Sequence, residues 1–197
     1  IRARITREKP LAADQLVQII RQVCKSLDEA HSAGLVHRDI KPDNIFLNRV
    51  QGQDEDHVKV LDFGVAKLQD NQFGNSTLTQ AGMIFGTPRY MSPEQAQGIE
   101  VDGRTDLWAL GCVLHEMVAG ARPFKGEYDQ ALLYEIVHEQ PPPLTGARAG
   151  VPMELEFVVG KCLAKGAAER YQSAKEIAVD LRTLSEKLKS GRSTVLG

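Results

Sequence analysis

Apolar residues recur at Leu16, Ile19, Ile20, Val23, Leu27 and Ala30. That spacing lines one face of a helix, so the pattern predicts an amphipathic helix over about 13–32. Gly34 follows where a left-handed residue commonly ends a helix. Two short apolar runs, 45–47 and 58–61, are separated by the polar stretch 51–56 and read as a β-hairpin with a loose turn. From 62 to about 88 the chain is rich in Gly, Ser, Thr, Asn and Gln and shows no period. A loop of that length in a compact domain is usually functional or disordered. It ends at Ser92-Pro93-Glu94-Gln95, a capping box with Pro at the first helical position, so a short helix starts there. Residues 107–114 carry no polar group except the indole N–H of Trp108. A helix apolar on every side belongs in a core, and about 104–119 is expected to be a central buried helix. Further helices are expected at about 128–139, 152–164 and 174–189, the last opened by the Ser173/Glu176 capping box. The predicted fold class is mainly α with a small β-hairpin element.

Composition narrows the function classes. Of 197 residues, 42% are hydrophobic and 25% charged, ordinary values for a globular chain with a real core. Lys and Arg number 24 against 26 Asp and Glu, so no global basic field points to nucleic acid. No run reaches the 18 or so apolar residues of a membrane span. Arg2, Arg4, Arg7 and Lys9 are interleaved with polar residues, are not followed by an apolar signal segment, and read as a solvated helix face. Cys24, Cys112 and Cys162 are far apart and odd in number, which reads as reduced, buried thiols in a cytoplasmic protein. The histidines show no metal-ligand spacing, and His37 reads as a buttress of its loop.

The candidate chemistry lies in His37-Arg38-Asp39-Ile40-Lys41-Pro42-Asp43-Asn44, between the first helix and the first strand. An Asp, a Lys two later and an Asn five later can converge on one point of such a loop. Phosphoryl transfer from a nucleotide needs a carboxylate for the attacking hydroxyl, a cation at the moving phosphate and oxygen ligands for Mg²⁺. The bland alternative is a polar turn capped by Asp39 and Asn44. Asp62-Phe63-Gly64 follows the second strand, and the hairpin would return Asp62 beside Asn44. Asp43 and Glu116 are candidates for an acidic pocket that takes a basic substrate residue, although solvated or internally paired acids are the commoner outcome.

Taken together, these motifs resemble the protein kinase family. Residues 37–44 are similar to its H-R-D-L-x-x-x-N catalytic loop, with Ile40 for Leu, and Asp62-Phe63-Gly64 to its D-F-G. Ser92-Pro93-Glu94 resembles A-P-E, and Gly86-Thr87-Pro88 the substrate-docking loop before it. Asp106-Leu107-Trp108-Ala109-Leu110-Gly111 is similar to the start of the family's buried central helix, and Arg170 stands where the family pairs an Arg with the A-P-E Glu. The wording from Gly86 to Ala96 looks most like bacterial serine/threonine members. The resemblance implies Asp39 as catalytic base, Lys41 as the γ-phosphate cation, Asn44 and Asp62 as metal ligands, and ATP with Mg²⁺ or Mn²⁺ as cofactors. Phe46 and Leu61 would floor the adenine site; as plain hairpin core they would be equally buried.

The resemblance covers about 1–188, with 189–197 a tail. It lacks the family's small lobe: the sequence contains no G-x-G-x-x-G and no V-A-I-K. The expectation is therefore the C-terminal lobe of a serine/threonine kinase, acting on protein substrates and inactive without its N-terminal lobe, cytoplasmic unless a longer parent is membrane-anchored. A helical binding scaffold of the pseudokinase type is the alternative. A small-molecule phosphotransferase of the aminoglycoside type is disfavoured by Lys41 and Ser92-Pro93-Glu94. Arg38 can point towards the long loop, where a phosphorylated Thr79, or next Thr77 or Ser76, would suit it.

Overall fold

A computed structural model of the chain describes residues 1–2, 5, 13–49, 56–63 and 88–191. The elements are α1 (Ala13–Ser32), a 3₁₀ turn (Pro42–Asn44), β1 (Ile45–Arg49), β2 (Asp56–Val60), α2 (Pro93–Gln97), α3 (Gly103–Ala119), α4 (Asp129–His138), α5 (Leu144–Ala147), α6 (Met153–Cys162), a second 3₁₀ turn (Ala167–Glu169) and α7 (Ala174–Lys189). The mainly helical class with one small hairpin is as the periodicity predicts. The pieces not foreseen, α5 and the two 3₁₀ turns, are too short to show a period.

Helix α3 is the axis of the core. The Asp102 carboxylate caps its start, accepting from Arg104 N–H at 2.9 Å, and Gly120 ends it at φ 69°. Every side chain from Leu107 to Leu114 is buried. Helices α1, α5 and α6 pack on α3, while α7 packs against both α1 and α6. The buried stripe of α1 (Leu16, Ile20, Val23, Leu27) faces that of α7 (Ile177, Leu181, Leu184). Each such side chain taken out of water is worth about 1.5–3 kcal/mol. The three cysteines lie in this core as free thiols. Burial pushes Cys162 up to about 12 and the other two higher still, so they are inert packing groups.

The hairpin is antiparallel, with register from Ile45 opposite Val60 to Arg49 opposite Asp56. Two strands alone are marginal in water. Here β2 rests on α1, where Gln22 donates to the Asp56 carbonyl at 2.9 Å and accepts from Val58 N–H at 3.0 Å. Ile45 turns into the core. Phe46 and Leu61 do not: they are 57% and 37% exposed, which corrects the expectation that both are buried. Phe46 and its partner Lys59 point outward with Leu61, while the Leu61 N–H bond to Asn44 O at 2.9 Å ties that edge to the buried Asn44.

Gly111 marks the closest approach of two core helices. A Cβ there would stand 2.6 Å from Cys162 Cβ and 3.1 Å from Leu163 Cδ2. Alanine in a helix interior gains about 1 kcal/mol over glycine, but overpacking costs about 1–3 kcal/mol and here meets a neighbour's Cβ. Gly111→Ala is therefore expected to lower the urea midpoint. A raised midpoint would show that α3 and α6 can separate freely.

Candidate active site

The site is built on a loop fastened to buried elements. Asp106, in the first turn of α3, has no exposed surface. Its Oδ2 accepts from His37 N–H at 2.8 Å and its Oδ1 from Arg38 N–H at 2.8 Å; His31 Nε2 lies 2.8 Å from Oδ2. Arg38 is left-handed at φ 66°, a conformation that costs a non-glycine residue about 1–3 kcal/mol. Both of its peptide groups are tied down, the N–H to Asp106 and the carbonyl to Gln95 Nε2 at 3.1 Å. His37 is the buttress anticipated from sequence. Its Nδ1 accepts from Asp39 N–H at 3.2 Å, which makes Nε2 the donor to the Leu61 carbonyl at 2.8 Å. One imidazole thus clamps the loop to the end of the hairpin, with Phe63 edge-on against it at 4.8 Å.

The loop brings three candidate residues together. Lys41 Nζ donates to Asp39 Oδ2 at 2.6 Å, and Asn44 Nδ2 donates to the same oxygen at 3.1 Å and to the Asp39 carbonyl at 2.8 Å. Among the described residues nothing bonds Asp39 Oδ1. The Asn44 amide spends its NH₂ on Asp39, so its Oδ1 is the end available to a ligand. Asp62 follows Leu61, whose N–H bonds Asn44 O, and is exposed and left-handed at φ 63°. The hairpin return of Asp62 to Asn44 therefore holds in the backbone, with no side-chain bond from Asp62 among the described residues. Thr77, Thr79, Ser76, Gly64, Gly86 and Thr87 lie outside the described residues.

A second clamp ties the far side of the site to the core. Ser92 Oγ accepts from Gln95 N–H, and Gln95 Oε1 accepts from Ser92 N–H at 3.0 Å, so Gln95 both completes the capping box of α2 and reaches Arg38. Next to it, Arg170 grips Glu94 with two bonds, NH1 to Oε1 at 2.7 Å and NH2 to Oε2 at 2.8 Å. Arg170 also donates to the carbonyls of Ala164 and Lys165 and lies over the Trp108 ring, and Thr105 Oγ1 donates to Glu94. Burial would raise the Glu94 carboxyl, but the hydrogen bonds and charge of Arg170 outweigh it and hold the group below the usual range.

Two readings change. Arg2 is no solvated helix residue: its NH1 donates to Glu116 at 2.8 Å and its NH2 to Asp43 at 3.1 Å and to Tyr90 Oη at 2.9 Å. Asp43 and Glu116 do converge, yet the cation between them belongs to the chain. Arg4, Arg7 and Lys9 lie outside the described residues. Asp106, Gln95 and Tyr90 were missed as parts of the site. A charged residue opening an otherwise apolar helix was the available signal for Asp106, since a buried carboxylate must find donors.

The profile of the protein kinase domain matches residues 1–180. The chain belongs to the protein kinase family. Within it, the chain sits among the bacterial, eukaryotic-like serine/threonine members. It is 47% identical over 167 residues to the serine/threonine-protein kinase Pkn1 of Myxococcus xanthus, covering 83% of this chain and 23% of that protein. It is 43% identical over 178 residues to the serine/threonine-protein kinase PknB of Mycolicibacterium smegmatis, covering 90% of this chain and 27% of that one. The crystal structure of the Mycobacterium tuberculosis PknI kinase domain superposes with a TM-score of 0.65 at 29% identity, covering 90% of this chain and 58% of that structure. The kinase lobe thus spans only about a quarter of the curated relatives it matches.

Removing Arg170 would strand the Glu94 charge in the core. Arg170→Ala is expected to cost about 3–5 kcal/mol in urea denaturation at pH 7, against under about 1 kcal/mol for a solvated pair. The sign with pH follows from the depressed Glu94 carboxyl. Its contribution is complete above the unfolded value, about 4.3, and is lost as pH falls through the folded one. The gap between parent and variant should therefore shrink below about pH 4. Overlaid curves at pH 7 would refute the clamp.

Proposed function

We propose that residues 1–188 are the large, C-terminal lobe of a serine/threonine protein kinase domain, with 189–197 a tail, and that this lobe directs the γ-phosphate of ATP onto Ser and Thr hydroxyls of proteins. The observation that carries this reading is the convergence of Asp39, Lys41 and Asn44 on one carboxylate oxygen. It leaves Asp39 Oδ1 open as the acceptor of the hydroxyl proton. Lys41 is half-exposed and bound only to Asp39 among the described residues, so it can turn to a phosphate oxygen. The exposed apolar pair Phe46 and Leu61 offers a floor for an adenine ring, which a buried pair could not.

Asn44 Oδ1 and the Asp62 carboxylate are hard oxygen donors, and they fit Mg²⁺ or Mn²⁺ in a site completed by phosphates and water. When bound, the cation would neutralise charge on the phosphates. The oxygens that would hold it are not otherwise engaged among the described residues: Asn44 donates its NH₂ to Asp39 and keeps Oδ1 open, and Asp62 has no competing side-chain bond.

The 197-residue sequence contains no G-x-G-x-x-G and no V-A-I-K, the motifs that would cover the phosphates. Alone, the chain is expected to bind ATP on the order of millimolar or more weakly and to transfer no phosphate at a useful rate, since half of the contacts are lacking. Robust phosphorylation of a generic protein substrate by the chain alone would refute that. In a complete domain that includes a small lobe, Asp39→Asn is expected to lower kcat by about 10²–10⁴-fold while ATP affinity stays nearly constant. A complete domain that binds partners but transfers no phosphate would instead favour the scaffold reading.

A further inference from the structure

Near its C-terminal end α3 carries His115, a polar ring buried in the core that phosphate transfer does not use. Its Nδ1 stands 3.0 Å from the Ala121 carbonyl oxygen and its Nε2 3.2 Å from the Pro142 carbonyl oxygen. Ala121 opens and Pro142 closes the stretch that carries α4, so one ring touches both flanks of the same excursion. A carbonyl oxygen only accepts, and a neutral imidazole has one N–H and one acceptor nitrogen. The neutral ring can therefore serve one of the two carbonyls, and its bare nitrogen faces the lone pairs of the other. The imidazolium has two N–H groups and serves both. Charge-assisted bonds are roughly twice as strong as neutral ones, which offsets what burial takes from the cation.

We propose that His115 is a proton-dependent staple: as an imidazolium it pins Ala121 and Pro142 to α3, and as a neutral ring it releases one flank, so that α4 is held tightly at low pH and loosely at high pH. The inference goes beyond the kinase reading and does not depend on it.

The other attachments of the segment are few. Helix α4 buries Leu132 and Ile136, and Phe124 ahead of it stacks on Trp108 with ring centroids 5.8 Å apart. Lys165 Nζ donates to the Glu135 and Ile136 carbonyls at 3.2 and 2.7 Å, at the C-terminal end of α4. Tyr128 and Tyr134 point to solvent. A segment with so few buried apolar contacts opens at a lower free energy than the core, and its two end bonds weigh accordingly.

The staple holds its second proton only in the attached arrangement. By linkage, raising the pH through the range in which histidines discharge, about 5 to 8, loosens α4. The charged and titratable side chains carried beside it are Glu116 on α3, Arg122, His138 and Glu139 on the segment, Glu156 on α6, and Lys165. Among the described residues none of them bonds the ring. Glu116 is taken up by Arg2 and Tyr90, and Glu156 accepts from Thr145 N–H. Burial lowers Lys165 to about 8, so its discharge falls above the histidine range and has the opposite sign, tightening the attachment. His138 is exposed, with its ring against Tyr134 at 4.6 Å, and a substitution separates its titration from that of His115.

Two measurements on the 197-residue chain test this. In the first, proton–nitrogen correlation NMR follows the His115 ring from about pH 5.5 to about 7.5. Amide hydrogen exchange, corrected for its intrinsic pH dependence, is read over the same range in α4 and, as a reference, in α7. Two ring N–H groups are expected at the low end and one at the high end. With the same midpoint, the opening of α4 relative to α7 should rise about tenfold or more, as for the loss of one charged hydrogen bond. A ring whose proton count does not change, or α4 protection that does not follow it, overturns the proposal. In the second, His115→Phe keeps an aromatic ring without N–H groups. Its α4 amides should exchange fast at both ends of the range, with the pH dependence gone, while His138→Phe should behave as the parent. A His115→Phe chain that keeps the parent's pH dependence, or a His138→Phe chain that loses it, overturns the proposal. If His115→Phe fails to fold, the parent's ring and the His138→Phe exchange still decide.

Discussion

One buried carboxylate holds the site to the fold. Asp106 sits in the first turn of α3, where the helix dipole favours a negative charge, and it is sealed from water. An unpaired carboxylate there would cost many kcal/mol, so its donors are obligatory. Two of them are consecutive backbone N–H groups, those of His37 and Arg38. Aiming both at one carboxylate fixes the local path of the chain, and that path takes Arg38 into the left-handed region. The central helix of the core thereby dictates the conformation of the residue just before Asp39.

From that anchor the restraints spread by single side chains, each making two bonds. His37 passes the loop's position to the hairpin end through the Leu61 carbonyl, just before Asp62. Gln95 passes it to α2, and Glu94, its neighbour on α2, is locked to Arg170. A site carried on loops gains its precision from such supports. Arg38 and the candidate ligand Asp62 are both left-handed, and at Arg38 the bonded N–H and carbonyl hold that conformation.

The long helices were legible because their periods are long. Six matching positions in α1 and eight consecutive apolar residues in α3 leave little choice of structure. The loop motif was legible because residue types at fixed spacing survive without knowledge of packing. Elsewhere the local pattern carried less. Ile45-Phe46-Leu47 is a continuous apolar run, so period 2 could not say which of the three turns outward, and Phe46 does. Arg2 and Glu116 are 114 positions apart, and no local signal connects a cation in a mixed-charge stretch to an acid on a core helix. Asp106 was only half legible: a charge on an apolar helix signals that donors exist, but two of them are backbone N–H groups, which leave no mark in sequence.

Two ion pairs of the same chemistry show how the fold divides support from function. Glu94 and Arg170 are both buried, and the guanidinium has carbonyl acceptors besides its carboxylate. Neither partner can leave without exposing an unpaired charge to the core, so the pair acts as a fixed joint. Asp39 and Lys41 form an equally close contact, but at 58% and 36% side-chain exposure. Water solvates either group when they part, so the contact is worth only about 0–1 kcal/mol and can be exchanged for a phosphate at small cost. Arg2 stands between these cases, bound on one side to a buried acid and on the other to an exposed one. The buried acid keeps the guanidinium in place, while its other contact stays open to exchange with water.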